Sequence, residues 1–227
     1  MLSDPRVKAA LIVGGSRGIG KQLVSQLKLR GWSVTEASRT GGRTLTDASR
    51  SHRHVDIGDP LSVGHFAEEL SGCSFDLIHV NSGTLGNPRV ETSDVTRDES
   101  SELFFVNAIG PVKLAKRVVH LLRPNGILAF TSSAMASLNG YDTRAMPIYR
   151  ATKAALNSLS RDFYLEVAEK RRITVLNLHP GWVQTDMGGM DAPLTPEQSA
   201  TGLINVIQAE RPDGHFFLDY EGATLSW

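Results

Sequence analysis

The chain has 227 residues, 41% hydrophobic and 21% charged, which is enough apolar material for one sheet-centred domain spanning residues 1–227. Its 24 basic residues balance 24 acidic ones, so no net field recruits nucleic acid or anionic lipid. The single cysteine, Cys73, excludes an intramolecular disulfide and any multi-cysteine metal centre.

Strand-length apolar runs alternate with stretches of helical period. Val7–Val13 reads as a buried strand, its apolar part too short for a secretory signal, and Gly18–Arg30 as a helix with Ile19, Leu23, Val24 and Leu27 on one face. Ser33–Ser38 is a second strand, and Thr40 to Arg53 reads as a surface loop. His54–Ile57 is a third strand, and Asp59-Pro60 starts a helix, a capping carboxylate before a proline. Phe75–Asn81 is a fourth strand.

The capping-box spacing of Thr96 and Glu99 opens a long helix to about Leu122. Gly126–Ser132 is a fifth strand, Ile148–Lys170 a helix and Ile173–Leu178 a sixth strand. Thr195 and Gln198 form a second capping box, starting a helix to about Ala209, and Phe216–Asp219 is a short last strand. Such alternation predicts an α/β fold: a doubly wound parallel sheet of about seven strands, flanked by helices on both faces. No run approaches the ~20 apolar residues of a membrane span. The expected setting is therefore cytoplasmic, with no membrane partner.

Gly14, Ser16, Arg17, Gly18, Ile19 and Gly20 lie in the turn between the first strand and first helix. Glycines there let bare backbone approach a pyrophosphate at a helix N-terminus. Arg39 follows the second strand, where an adenosine ribose would lie. A guanidinium at that point suits a 2′-phosphate, so NADP(H) is favoured and NAD(H) is the alternative. Glu36, three residues earlier, is expected to lie too deep to serve as a ribose carboxylate, and Arg17 could add a second positive charge.

Tyr149 and Lys153 stand one turn apart on a predicted helix. An ammonium so placed would bring a phenol from its usual ~10 toward the working range for proton transfer. His179 reads as a packed histidine, and no histidine–carboxylate spacing points to a metal.

Together these features resemble the short-chain dehydrogenase/reductase family over nearly the whole chain, a single-domain Rossmann-type fold. Asp56-Ile57 matches the family's adenine-contacting pair, and Asn81-Ser82-Gly83 its Asn-Ala-Gly turn, with serine replacing alanine. Val80 stands where many members carry another asparagine. Asn107 matches the mid-helix catalytic asparagine, Ser133 the catalytic serine, and Tyr149 with Lys153 the tyrosine–lysine pair. Pro180, Gly181, Val183 and Thr185 match the segment flanking the nicotinamide. Tyr149 to Asn157 and the brief tail look most like the C-factor and sniffer-type carbonyl reductases.

The resemblance implies hydride transfer to a carbonyl carbon, with Tyr149 donating the proton and Ser133 holding the oxygen. It also implies that Lys153 lowers the tyrosine pKa and holds the ribose, and that Asn107 holds a water. Sixteen positions separate Ser133 from Tyr149, a few more than usual, which places an insertion around Leu138 to Met146. Ser132 and Ser137 rank behind Ser133.

The segment Thr185 to Thr195, with Met187 and Met190, is read as a mobile substrate lid; with Trp182, Met135 and Met146 it suggests a small or medium apolar ketone or aldehyde. Oligomerisation through the two long helices, as in many members of the family it resembles, implies a homodimer or homotetramer. An NAD-dependent alcohol dehydrogenase and a dinucleotide-binding sensor with little turnover are the rival readings.

Overall fold

The computed structural model describes residues 6–40, 52–140 and 145–227. The amino-terminal five residues, most of the Thr40 to Arg53 loop and the centre of the expected insertion lie outside these. Seven strands form one sheet: β1 (Ala9–Val13), β2 (Ser33–Ser38), β3 (His52–His54), β4 (Phe75–Val80), β5 (Leu122–Thr131), β6 (Thr174–His179) and β7 (His215–Asp219). Their order is β3-β2-β1-β4-β5-β6-β7, and every pairing is parallel. The expected doubly wound sheet is therefore present.

Period-two alternation along the strands builds a core on each face. Leu11, Val13, Ile78 and Val80 point to one side, where they meet Leu114, Val118, Leu156 and Phe163. Those partners come from α4 (Gly110–Val118) and α5 (Pro147–Phe163), beside which lies α2 (Pro60–Glu69). Ala10, Ile12, Leu77 and Ala129 point to the other side. There they meet Leu23 and Leu27 of α1 (Gly18–Leu29) and Leu203 and Ile204 of α6 (Pro196–Gln208). Each fully buried leucine contributes roughly 2 kcal/mol of transfer free energy.

Four elements differ from expectation, two of them in extent: β5 begins at Leu122 rather than Gly126, and the helix expected over Ile148–Lys170 runs as Pro147–Phe163 before a π-turn (Tyr164–Ala168). The third strand is His52–His54 rather than His54–Ile57, because its partner β2 ends at Ser38, which pairs with His54. Val55 and Ile57 are buried by the connection that follows instead. The helix opened by Thr96 runs as α3 (Arg97–Phe104), a π-turn (Phe105–Ile109) and α4, so one wide turn interrupts it at Asn107. Both capping boxes form, at Thr96 and at Thr195.

The carboxyl ends of all the parallel strands point the same way. The strand order reverses between β1 and β4, which opens a crevice at that edge.

Candidate active site

The segments singled out in the sequence gather along this edge. The glycine loop leaves β1, Arg39 leaves β2, Asp56 and Ile57 follow β3, Asn81–Gly83 follow β4, Ser133 follows β5 and Pro180 follows β6.

Tyr149 lies in the first turn of α5. That turn is entered through Met146, held at φ +54, ψ +52 beside Pro147. A proline disfavours the right-handed region for the residue before it, and a left-handed methionine is a strained conformation worth of order 1–3 kcal/mol. Ser133 hydrogen-bonds the Tyr149 phenol. The Ser133 oxygen already accepts from the Met135 N–H at 3.2 Å, which leaves its own hydrogen for the tyrosine. Ser132 faces away and donates to Asn157 Oδ1 at 2.7 Å, and Ser137 accepts from the Gly140 N–H at 2.8 Å.

Lys153 is 3% exposed, with its Nζ 5.8 Å from the Tyr149 ring centre and 2.8 Å from the Thr131 carbonyl oxygen, to which it donates. Burial pulls this ammonium down to about 8. Tyr149 keeps an open edge, yet the protein packed around it pushes its phenol up to about 12, with the Ser133 hydrogen bond acting the other way. The phenol therefore does not stand nearer neutrality here: desolvation is the largest cause of the rise, and the tyrosine is a protonated acid at neutral pH.

Asn107, fully buried on the π-turn, accepts from the Thr84 N–H at 2.8 Å. It donates to the Thr84 carbonyl at 2.8 Å and to Thr152 Oγ1 at 3.1 Å. Both amide hydrogens are thus committed to protein partners. The side chain clamps the Thr84 backbone against α5.

Gly14 sits at φ +86, and a β-carbon there would lie 2.9 Å from the Ser82 nitrogen. At Gly20 a β-carbon would stand 2.0 Å from the Gly14 carbonyl oxygen. Overpacking against backbone costs about 1–3 kcal/mol. Gly20→Ala is thus expected to lower Tm by roughly 5 °C, and an unchanged Tm in a thermal melt would count against this close approach.

Asp59, Thr96 and Thr195 cap α2, α3 and α6, but α1 begins at Arg17 with no side-chain cap and no acid in its first turn. Its free N–H groups suit a bound phosphate. Lys153, buried with one protein acceptor and no carboxylate partner among the described residues, has hydrogens left for ribose hydroxyls. A β-carbon on Gly83 would fall 3.3 Å from both Lys153 Nζ and Asn107 Oδ1, so the turn after β4 passes close to both. This donor set fits a dinucleotide.

The model of the short chain dehydrogenase family matches residues 8–193. The chain belongs to this family. Members are NAD(P)-dependent oxidoreductases. It is 35% identical over 166 residues to the C-signal of Myxococcus xanthus, covering 71% of this chain and 98% of that protein. It is 30% identical to the 1-hydroxy-2-glutathionyl-2-methyl-3-butene dehydrogenase of Rhodococcus sp. (strain AD45), over 97% of this chain and 100% of the relative. The carbonyl reductase of Pseudomonas aeruginosa PAO1, solved in complex with NADP, superimposes with a TM-score of 0.86 at 34% identity. That match covers 98% of this chain and 100% of the reductase.

In this short-chain dehydrogenase the remaining predicted residues fall around the same crevice. Asp56 accepts from the Gly58 N–H at 2.9 Å, and Ile57 is buried beside it. Arg39 is exposed and makes no ion pair among the described residues. Arg17 instead pairs with Asp186 at 2.7 Å, both side chains in solvent. Glu36 is closer to the loop than its spacing suggested: a β-carbon on Gly15 would lie 2.6 Å from its Cγ, and its carboxylate faces His52 at 3.6 Å.

The segment after β6 is stapled by Gln184, which donates to the Ala192 carbonyl, and by Trp182, which donates to the Gly188 carbonyl. It leaves Trp182, Met187 and Met190 as exposed apolar surface. His179, at the end of β6, is held down to about 4 by burial, with Asp219 opposing, so it is neutral. No group of histidine, cysteine and carboxylate residues among the described residues could hold a metal. No described helix is long and apolar enough to cross a membrane.

Proposed function

We propose that this short-chain dehydrogenase is an NADPH-dependent reductase of small to medium apolar ketones and aldehydes. The observation that carries the reading is the protonated Tyr149 phenol, hydrogen-bonded to Ser133 and backed by buried Lys153, at an open edge beside an apolar lid. A bound nicotinamide supplies the hydride for the carbonyl carbon.

Tyr149 gives its proton to the carbonyl oxygen, and Ser133 turns its one hydroxyl hydrogen from the phenol to the same atom, stabilising the charge that develops there. Lys153 holds the nicotinamide ribose, and its positive charge lowers the cost of the phenolate left after proton transfer. Asn107 fixes α5 against Thr84, and so holds the Tyr149 turn in register. Trp182, Met187 and Met190 receive the apolar body of the substrate. Arg39 holds the 2′-phosphate, in keeping with the NADP held by the P. aeruginosa reductase. The exposed Ile109 and Leu165, next to α4 and α5, support association into a homodimer or homotetramer.

The test is the oxidation of NADPH and NADH against a panel of aldehydes, ketones and quinones. NADPH turnover with apolar carbonyls is expected, and Arg39→Leu should raise KM for NADPH about 10- to 100-fold while leaving that for NADH unchanged. Equal loss with both cofactors would remove Arg39 from the 2′-phosphate. No consumption of either cofactor across the panel would overturn the reductase reading.

A further inference from the structure

His79 is a wholly buried histidine in the middle of the sheet, outside the proton chemistry proposed above. It lies on β4 between Ile12 of β1 and Ala129 of β5, facing the core formed with α1 and α6. Its Nε2 is 2.9 Å from Thr131 Oγ1. Thr131 Oγ1 donates to Asn81 Oδ1 at 2.9 Å, and Asn81 Nδ2 donates to the Gly14 carbonyl at 3.2 Å.

The directions of these bonds follow from the donor inventory. The Gly14 carbonyl can only accept, so the nitrogen of the Asn81 amide must face it and the oxygen must face Thr131. The Thr131 hydroxyl therefore spends its one hydrogen on Asn81 and accepts from His79. The His79 proton must then sit on Nε2. Its Nδ1, buried with no partner among the described residues, is the bare nitrogen. Burial also holds this imidazole down to about 4, so the neutral ring persists at neutral pH.

We propose that His79 is a positioning residue for the dinucleotide loop, setting the Gly14 turn through Thr131 and Asn81. The endpoint of the relay is mechanically tight. The Gly14 carbonyl and Asn81 Nδ2 are the two groups that a β-carbon on Gly20 would strike, at 2.0 and 2.8 Å. The relay therefore ends where the loop turns into α1, whose uncapped N–H groups face the phosphates in the reading above, on which this role rests. Thr131 also ties the two halves of the site together, because its carbonyl takes the Lys153 ammonium at 2.8 Å while its hydroxyl carries the relay.

The experiment compares wild type, His79→Leu, His79→Gln and Thr131→Val. It measures the Kd for NADPH by fluorescence titration, kcat and KM, and Tm. Losing the Nε2 donor should raise Kd and KM for NADPH about five- to tenfold in His79→Leu, with kcat within twofold. Glutamine places an amide nitrogen near the position of Nε2, so His79→Gln should recover most of that loss. Thr131→Val, which keeps the carbonyl for Lys153, should match His79→Leu.

In the wild-type protein without cofactor, ring ¹⁵N shifts should report a protonated Nε2 and a bare Nδ1. A merely structural histidine would lower Tm in both His79 variants and leave Kd untouched, which would overturn the proposal. A bare Nε2 in the ¹⁵N spectrum would overturn it as well, even where a variant fails to fold. Failure of the wild type itself to bind NADPH would instead sink the cofactor reading, and this role with it.

Discussion

Tyr149→Phe is expected to reduce kcat for carbonyl reduction by about a thousandfold, within the 10²–10⁴ range of positioned general acids. The Kd for NADPH should stay within about twofold. The substitution removes one oxygen from a side chain that keeps its ring, centred 5.8 Å from Lys153 Nζ. Among the described residues that oxygen is hydrogen-bonded by Ser133, so the fold loses little. Ser133→Ala should cost about 10²-fold, because the tyrosine can still donate while the oxyanion loses its second donor. In the double variant the two effects should be far from additive, since both groups act on one oxygen. Stopped-flow and steady-state assays on the same preparations separate the chemical step from binding. A Tyr149→Phe protein that still reduces carbonyls at more than a tenth of the wild-type rate would remove Tyr149 as the acid. A protein that retains a signalling output without turnover would favour the sensor reading.

How much of this could be read from residues alone varies with the kind of information. The alternation Ala10/Ile12 against Leu11/Val13 makes both faces of β1 apolar, and that pattern implies a sheet covered on both sides. The end of β3 was not readable in the same way. Val55 and Ile57 carry a strand-like pattern, yet a strand persists only where a partner offers hydrogen bonds, and β2 runs out at Ser38. The π-turn at Asn107 has no local signature, because its widening is set by the clamp to Thr84 and Thr152, residues distant in sequence.

The site divides along a similar line. Which residues stand at the carboxyl edge was legible, because motif positions translate directly into strand ends. The protonation of those residues was not, since it depends on desolvation, a property of the packed surroundings. Tyr149 and Lys153 at one-turn spacing suggest a lowered phenol pKa. The folded protein raises the phenol and depresses the amine instead. Arg17 is another case: its charge is plain in the sequence, but its pairing with Asp186 joins two segments 169 positions apart. His79 offered no motif at all. Its importance appears only when the bonds to Thr131 and Asn81 are followed to the glycine loop.

Lys153→Met is expected to make the cofactor-free protein more stable at pH 7 while reducing turnover by at least about a thousandfold. The buried ammonium titrates at about 8 rather than 10.5, a difference of roughly 3 kcal/mol between its charged and neutral forms. Below pH 8 the lysine is charged in both the folded and the unfolded chain, so the native state bears this cost in full. Between pH 8 and 10.5 the unfolded chain holds more protons, and wild-type stability should rise with pH; above 10.5 the cost has gone. Methionine fills a similar volume without a charge, and the Thr131 carbonyl left without its donor offsets about 1 kcal/mol of the gain. The net is about 2 kcal/mol at pH 7, a rise in Tm of roughly 5 °C. The variant should also lack the increase in stability between pH 8 and 10.5, which urea titrations at pH 7 and pH 9.5 would read directly. The same ionisation should limit catalysis: kcat/KM for NADPH, which reports the free enzyme, should fall as pH rises past about 8. A less stable Lys153→Met protein at pH 7 would mean that the ammonium is solvated or paired in the folded state. An active site that keeps a buried, uncompensated charge is destabilised for the sake of a ligand, and bound cofactor should reverse the order of the two melting temperatures.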